Sequence, residues 1–202
     1  MASSQFAPLR VAGFALVIGL SACKYLRPSN PSSSAEPTGD VPTSRTARSM
    51  SLNDRDIAAI FLAVNNTDIS YAQVALAPGR TTNADVLAFA NRMLSDHGGL
   101  NKSALDLLST TNIVPRDNTM SLDFRDESAA KRDTLRELTG LAFDTTYMAN
   151  EVRYHTKLLG TIDSLLLPAA KNTDLRVLLT RVRPAVAAHL EHATRIQAGL
   201  GR

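Results

Sequence analysis

From residue 51 to about residue 198, apolar side chains recur at intervals of three and four, and no stretch of any length alternates apolar with polar. That spacing places apolar groups on one stripe of a helix and leaves nothing for a half-buried strand to present. Five helices are expected. Helix A starts at Ser51 or Asn53 and runs to about Ala77, with Pro78-Gly79 ending it. Helix B opens at Asn83 and stops before Pro115; a shorter helix C spans about Leu122 to Leu138, with Gly140 as its breaker. Helix D runs from about Leu141 to Leu167, ahead of Pro168, and helix E from a Thr173 cap to about Ala198. Pro184 lies inside helix E and is expected to kink or break it. Four amphipathic helices of about 25 residues, each roughly 37 Å long, bury their stripes by packing together. The expected fold class is therefore all-α: a four-helix bundle over residues 51–202, with helix C as a short extra helix in the crossover between two hairpins.

The chain ahead of the bundle reads differently. Arg10 precedes an apolar run from Val11 to Leu20, which suits a signal-peptide core and is too short to span a bilayer. Leu20-Ser21-Ala22-Cys23 follows and resembles the lipobox of bacterial lipoproteins, an aliphatic residue and two small ones before a cysteine. The resemblance implies a signal peptide over residues 1–22 and lipidation at Cys23, the single cysteine of the chain. Palmitate-like acyl chains would then attach the protein to a membrane. Lys24 after that cysteine, in place of Asp, implies the outer membrane with the protein facing the periplasm. Residues 24–50 carry Pro28, Pro31, Pro37, Pro42 and many serines without apolar periodicity, so residues 23–50 read as a tether. Net charge is +3, or +2 without residues 1–22, and the basic residues are interspersed with acidic ones, which excludes a nucleic-acid footprint.

Polar residues interrupt the stripes at telling places. On helix A the stripe is Ile57, Phe61, Val64, Asp68, Tyr71, Ala75; on helix B it is Val86, Phe89, Ala90, Met93, His97, Leu100, Ala104, Leu107. Helix D shows Asp144, Met148, Glu151, Val152, His155, Leu159, Ile162, Leu166, and helix E shows Leu175, Leu178, Val182, Ala185, His189, Ala193, Ile196. His97, His155 and His189 each fall near mid-helix, as does Asp68. A mid-helix residue stays at mid-height whichever way its helix runs, so these four are expected to meet inside the bundle. His192, three residues beyond His189, sits beside Glu191 and reads as more exposed. Two readings stand. One is a buried polar network in which imidazoles bond to Asp68, Asp144, Glu151, the Tyr71 or Tyr147 hydroxyls, backbone carbonyls or water, since unpartnered buried groups cost about 1–3 kcal/mol each. The other is a site for one transition-metal ion, Zn, Fe or Mn, because imidazoles and carboxylates from facing helices are how bundles hold such ions. If the imidazoles are buried and neutral, the domain is expected to lose stability between roughly pH 6.5 and 4.5. Gly98-Gly99 inside helix B is read as allowing close helix approach or a kink beside His97. No Walker loop, G-x-G-x-x-G, G-x-S-x-G, C-x-x-C or H-E-x-x-H motif occurs, so no catalytic residue is assigned.

Three motifs together resemble one family. Helix B carries Val86-x-x-Phe89-Ala90-x-x-Met93-x-x-Asp96-His97; the C–D junction carries Leu138-x-Gly140-x-x-Phe143-Asp144-x-x-Tyr147; helix E carries Pro184-x-x-x-x-His189-Leu190-x-x-Ala193. These are similar to the bacterial family called domain of unknown function 4142, over about residues 52–198. The resemblance implies a ferritin-like four-helix bundle in a periplasmic or outer-membrane protein, and no established activity. Di-iron bundles use Glu-x-x-His on two helices. This chain has no Glu-x-x-His anywhere, and helix A has no Glu. The leading expectation is thus a non-enzymatic envelope lipoprotein with a polar core; the second is a metal-binding bundle serving storage, sensing or stress protection.

Overall fold

The computed structural model describes residues 51–201, and all regular structure among them is helical. The segments expected to be a signal peptide (residues 1–22) and a tether (residues 23–50), with Cys23, lie outside the described residues. Helix α1 (Asp54–Ala75) is started by Asn53, whose side chain accepts from the Arg55 and Asp56 amides while the Asp56 carboxylate accepts from the Asn53 amide. Two orphan donors of the first turn are satisfied in this way. Asn83 caps α2 (Ala84–Thr110), and Asn118 caps α3 (Thr119–Arg136), which therefore begins three residues before the expected Leu122. Helix α4 (Gly140–Thr161) follows after a short break at which Gly140 takes φ +54, a left-handed value that suits glycine. Beyond α4 the chain widens into a π-helical turn, Ile162–Leu166, just before Pro168, and then a single turn, α5 (Leu167–Ala169). Asn172, one residue ahead of the expected Thr173, caps α6 (Thr173–Gly199).

Loop bonds establish the directions. The Lys171 and Asn172 amides donate to the Asp54 carboxylate, so α6 starts beside the start of α1. The Arg116 guanidinium grips Asp56 at 2.8–3.0 Å, and the Asn118 side chain donates to the Asp56 carbonyl. Hence α3 also starts there. It ends where the Gly140 amide donates to the Arg80 carbonyl at 2.8 Å, just past the other end of α1. So α1, α3 and α6 point one way and α2 and α4 the other. The bundle is α1, α2, α4 and α6, with α3 as the crossover, a connectivity with one long crossover.

The crossover helix does more than connect. It covers the outer face of α1, with Ser128 Oγ 3.3 Å from Ser70 Oγ. Wrapped by α2, α3 and α4, α1 buries fifteen of its residues, well beyond its predicted stripe. The core between the helices is aliphatic and aromatic, with Phe89, Met93, Phe143, Tyr147, Met148 and Leu166 fully buried. Two sequence expectations need correction in one arm each, the break at Pro184 and the close approach at Gly98-Gly99. Helix α6 runs unbroken through Pro184, which is exposed, so the carbonyl it leaves without an intrahelical partner lies on the water side. Gly98 and Gly99 allow no close approach, since a Cβ on either would meet nothing within 4 Å, and α2 continues through both. No helix among the described residues is long and apolar enough to cross a membrane.

Candidate functional site

Midway along the bundle the expected residues meet. The His97 and His189 ring centroids are 5.4 Å apart, His155 and His189 5.5 Å, and His97 and His155 6.1 Å. One nitrogen from each ring lies within 4.8 Å of one from each of the others. His97, His155 and His189 are 2%, 0% and 5% exposed. The reason is the level argument: three antiparallel or parallel helices, each with an imidazole near its centre, present them at one depth.

Each ring has one nitrogen engaged and one idle. His97 Nδ1 donates to Asn65 Oδ1 at 2.7 Å; the Asn65 amide nitrogen donates to the Phe61 carbonyl at 3.0 Å, which turns the Asn65 oxygen toward the ring. His155 Nδ1 lies 3.0 Å from the Glu151 carbonyl, which can only accept, so that nitrogen carries the hydrogen. His189 Nε2 donates to the half-exposed Asp96 carboxylate at 2.9 Å. The opposite nitrogens, His97 Nε2, His155 Nε2 and His189 Nδ1, are buried and have no hydrogen-bond partner.

Burial also keeps the rings neutral. His97 is pulled down to about 3 by desolvation first, then by the neighbouring His155 and His189. His155 falls to about 4, again from burial and then His189. His189 is lowered by burial, with Asp96 pulling the other way. At neutral pH each idle nitrogen therefore holds a lone pair.

A second grouping adjoins the first. Asp68, Glu151 and His155 each offer a ligand atom within 4.8 Å of the others, and all three are 0% exposed. Asp68 Oδ2 is 3.4 Å from His97 Nε2, and Glu151 Oε2 is 3.4 Å from His155 Nδ1. Neither pair is a hydrogen bond, and all four carboxylate oxygens of Asp68 and Glu151 lack a partner, as does the buried Tyr147 hydroxyl. Burial pushes Asp68 well above the usual carboxylate range, with Glu151 adding to it, and raises Glu151 to about 8. Burial likewise raises Tyr147, with Glu151 and Asp68 contributing.

Asp144 does not join. It is buried, with one oxygen unpartnered, but it belongs to neither grouping, lying two helical turns before Glu151 on α4. His192 is half-buried and packs its ring on Phe89, 5.4 Å between centroids, instead of entering the site. Sequence reasoning missed Asn65 and Asp96. Asn65 lies three residues before Asp68 and so on the same face of α1, a usable signal. Asp96 is adjacent to His97 and points elsewhere, and only the packing of α6 against α2 brings it to His189.

Fold and site together define a class: all-helical bundles with a wholly buried centre of neutral imidazoles and carboxyl groups. Within it, the chain belongs to the family Domain of unknown function (DUF4142), whose model matches residues 40–196. No curated protein and no solved structure matches the chain.

Proposed function

We propose that this chain is an envelope lipoprotein whose bundle binds a transition-metal ion at His97, His155 and His189. The single observation that carries the metal reading is the set of three buried imidazole nitrogens without partners. A polar network closed by protein groups alone would have used them, because each orphaned buried acceptor costs about 1–3 kcal/mol. A metal-ligating histidine characteristically donates its other ring N–H to an amide, carbonyl or carboxylate, which sets tautomer and ring orientation. Asn65, the Glu151 carbonyl and Asp96 supply those three acceptors. Neutral imidazole donors suit zinc or divalent iron, with manganese a weaker fit. A groove of about 420 Å³ between α2 and α6, lined by Asp96, His97, Arg181, Val182 and His189 among others, leads to the outer edge of the site. It offers the ion a way in past the half-exposed Asp96.

The reading assigns binding, not turnover. The lipid anchor rests on Arg10, the apolar run Val11–Leu20 and the cysteine that follows Leu20-Ser21-Ala22, and its outer-membrane placement rests on Lys24. To test the site, the protein is purified without a histidine tag, stripped with chelator, reloaded with Zn²⁺ or Co²⁺ and analysed for metal. Bound ion that disappears in the His97→Ala/His155→Ala double variant supports the reading. Protein that stays metal-free after reloading refutes it. Incorporation of labelled palmitate, lost in Cys23→Ser, tests the anchor separately.

A further inference from the structure

We propose that Asp68 and Glu151, with the Tyr147 hydroxyl beside them, form a second cation position adjoining the three-imidazole site, so that the bundle holds two divalent ions. The inference deepens the reading above and rests on a different set of atoms. Both carboxylates are fully buried at the heart of the bundle, on α1 and α4. Their four oxygens have no hydrogen-bond partner outside the Asp68–Glu151–Tyr147 group, whereas Arg, Ser and backbone donors satisfy the carboxylates of Asp54, Asp56, Asp117 and Asp163 elsewhere in the molecule. Burial holds both acids in the protonated form in the metal-free protein, so an ion binding between them would replace their protons and satisfy oxygens that are otherwise costly to leave unpartnered.

The three-imidazole ion does not meet that need. His155 has one idle nitrogen, Nε2, because Nδ1 donates to the Glu151 carbonyl at 3.0 Å. The Glu151 carboxylate lies on the Nδ1 side, 3.4 Å away. An ion held at Nε2 is therefore on the opposite edge of the ring from Glu151. Asp68 is the residue that touches both: Oδ2 stands 3.4 Å from His97 Nε2, and the same side chain belongs to the Glu151 grouping. It is placed to lie between two ions. Tyr147, fully buried with its hydroxyl unpartnered and close enough to Glu151 for each to shift the other's ionisation, supplies a further oxygen. An all-oxygen set of carboxylates and a phenol selects a hard divalent ion such as Mn²⁺ over soft ones.

The experiment uses the full chain in detergent, without a histidine tag, stripped and then loaded with Zn²⁺ followed by Mn²⁺. Native mass spectrometry and elemental analysis count the ions. The expected result is two per chain in the wild type and one in Glu151→Gln, with the remaining ion lost when His97→Ala/His155→Ala is added. One ion in the wild type, retained in Glu151→Gln, overturns this inference and leaves the three-imidazole reading standing. One ion lost in Glu151→Gln but kept in His97→Ala upholds the carboxylate position and overturns the other. No ion in any form overturns both. Circular dichroism checks the fold of each variant, and Asp68→Asn replaces Glu151→Gln should the latter not fold. Wild-type protein loaded with Mn²⁺ alone adds a readout that a structural role would not move: neighbouring ions broaden the paramagnetic resonance spectrum, and Asp68→Asn restores the sharp lines of an isolated ion.

Discussion

Replacing Glu151 by glutamine should make the metal-free protein markedly more acid-sensitive, although it removes an acidic group. The buried imidazoles set the acid side. Their folded pKa values, about 3 for His97 and about 4 for His155, lie below the ordinary 6.5, so the unfolded chain binds protons that the folded one refuses. Stability from these groups is complete above the unfolded value and falls as pH drops from it toward the folded values. Between pH 7 and pH 5 each loses about 2 kcal/mol, since pH 5 is ~1.5 units below the unfolded pKa and one unit is 1.36 kcal/mol. Together that is about 4 kcal/mol, and His189 is shifted in the same direction.

Glu151 opposes this. Its pKa is raised from 4.5 to about 8, so the folded state holds a proton that the unfolded chain releases. Its contribution is greatest below pH 4.5 and is lost as pH rises toward 8. Moving from pH 7 to pH 5 therefore returns about 2.5 kcal/mol, and Asp68, raised by the same burial, acts in the same direction. The wild type should thus show a shallow acid profile, where the histidines alone would make it steep. Urea unfolding at pH 7 and pH 5 in the presence of chelator measures the difference. The Glu151→Gln variant should lose about 2.5 kcal/mol more than the wild type across that interval. Equal losses in the two proteins would refute the reasoning, because Glu151 would then be ionised in both states.

Three other outcomes follow from the geometry. Asn65→Leu removes the acceptor that orients His97, and titration with Zn²⁺ should show affinity reduced by about 10–100-fold with the helices intact. Phe89→Ala empties a fully buried position against Tyr147 and His155 and should cost about 3–5 kcal/mol in denaturant unfolding. Asp56→Ala removes both the acceptor for Arg116 and half of the α1 capping box, so thermal unfolding should occur several degrees lower; an unchanged midpoint would mean the α1–α3 junction contributes nothing.

The three-and-four spacing was enough to read the helices and the mid-level meeting of Asp68, His97, His155 and His189, because both depend on local geometry: a helix repeats every 3.6 residues, and its centre stays central in either direction. The spacing did not separate neighbouring candidates on α6. Leu179 and Val186 are buried where Leu178 and Ala185 were expected, because the choice between a step of three and a step of four depends on where α4 and α2 press. Asp144 illustrates the same limit: it shares the sequence stripe of Glu151, but a residue two turns away reaches a different layer of the core. Asp96 is the converse case, a residue off the stripe that a facing helix recruits. Most of all, which nitrogen of each imidazole is engaged and which is idle was settled only by tertiary structure. Periodicity assigns a side chain to a face, whereas a hydrogen bond depends on atoms from separate helices arriving within 3 Å of each other.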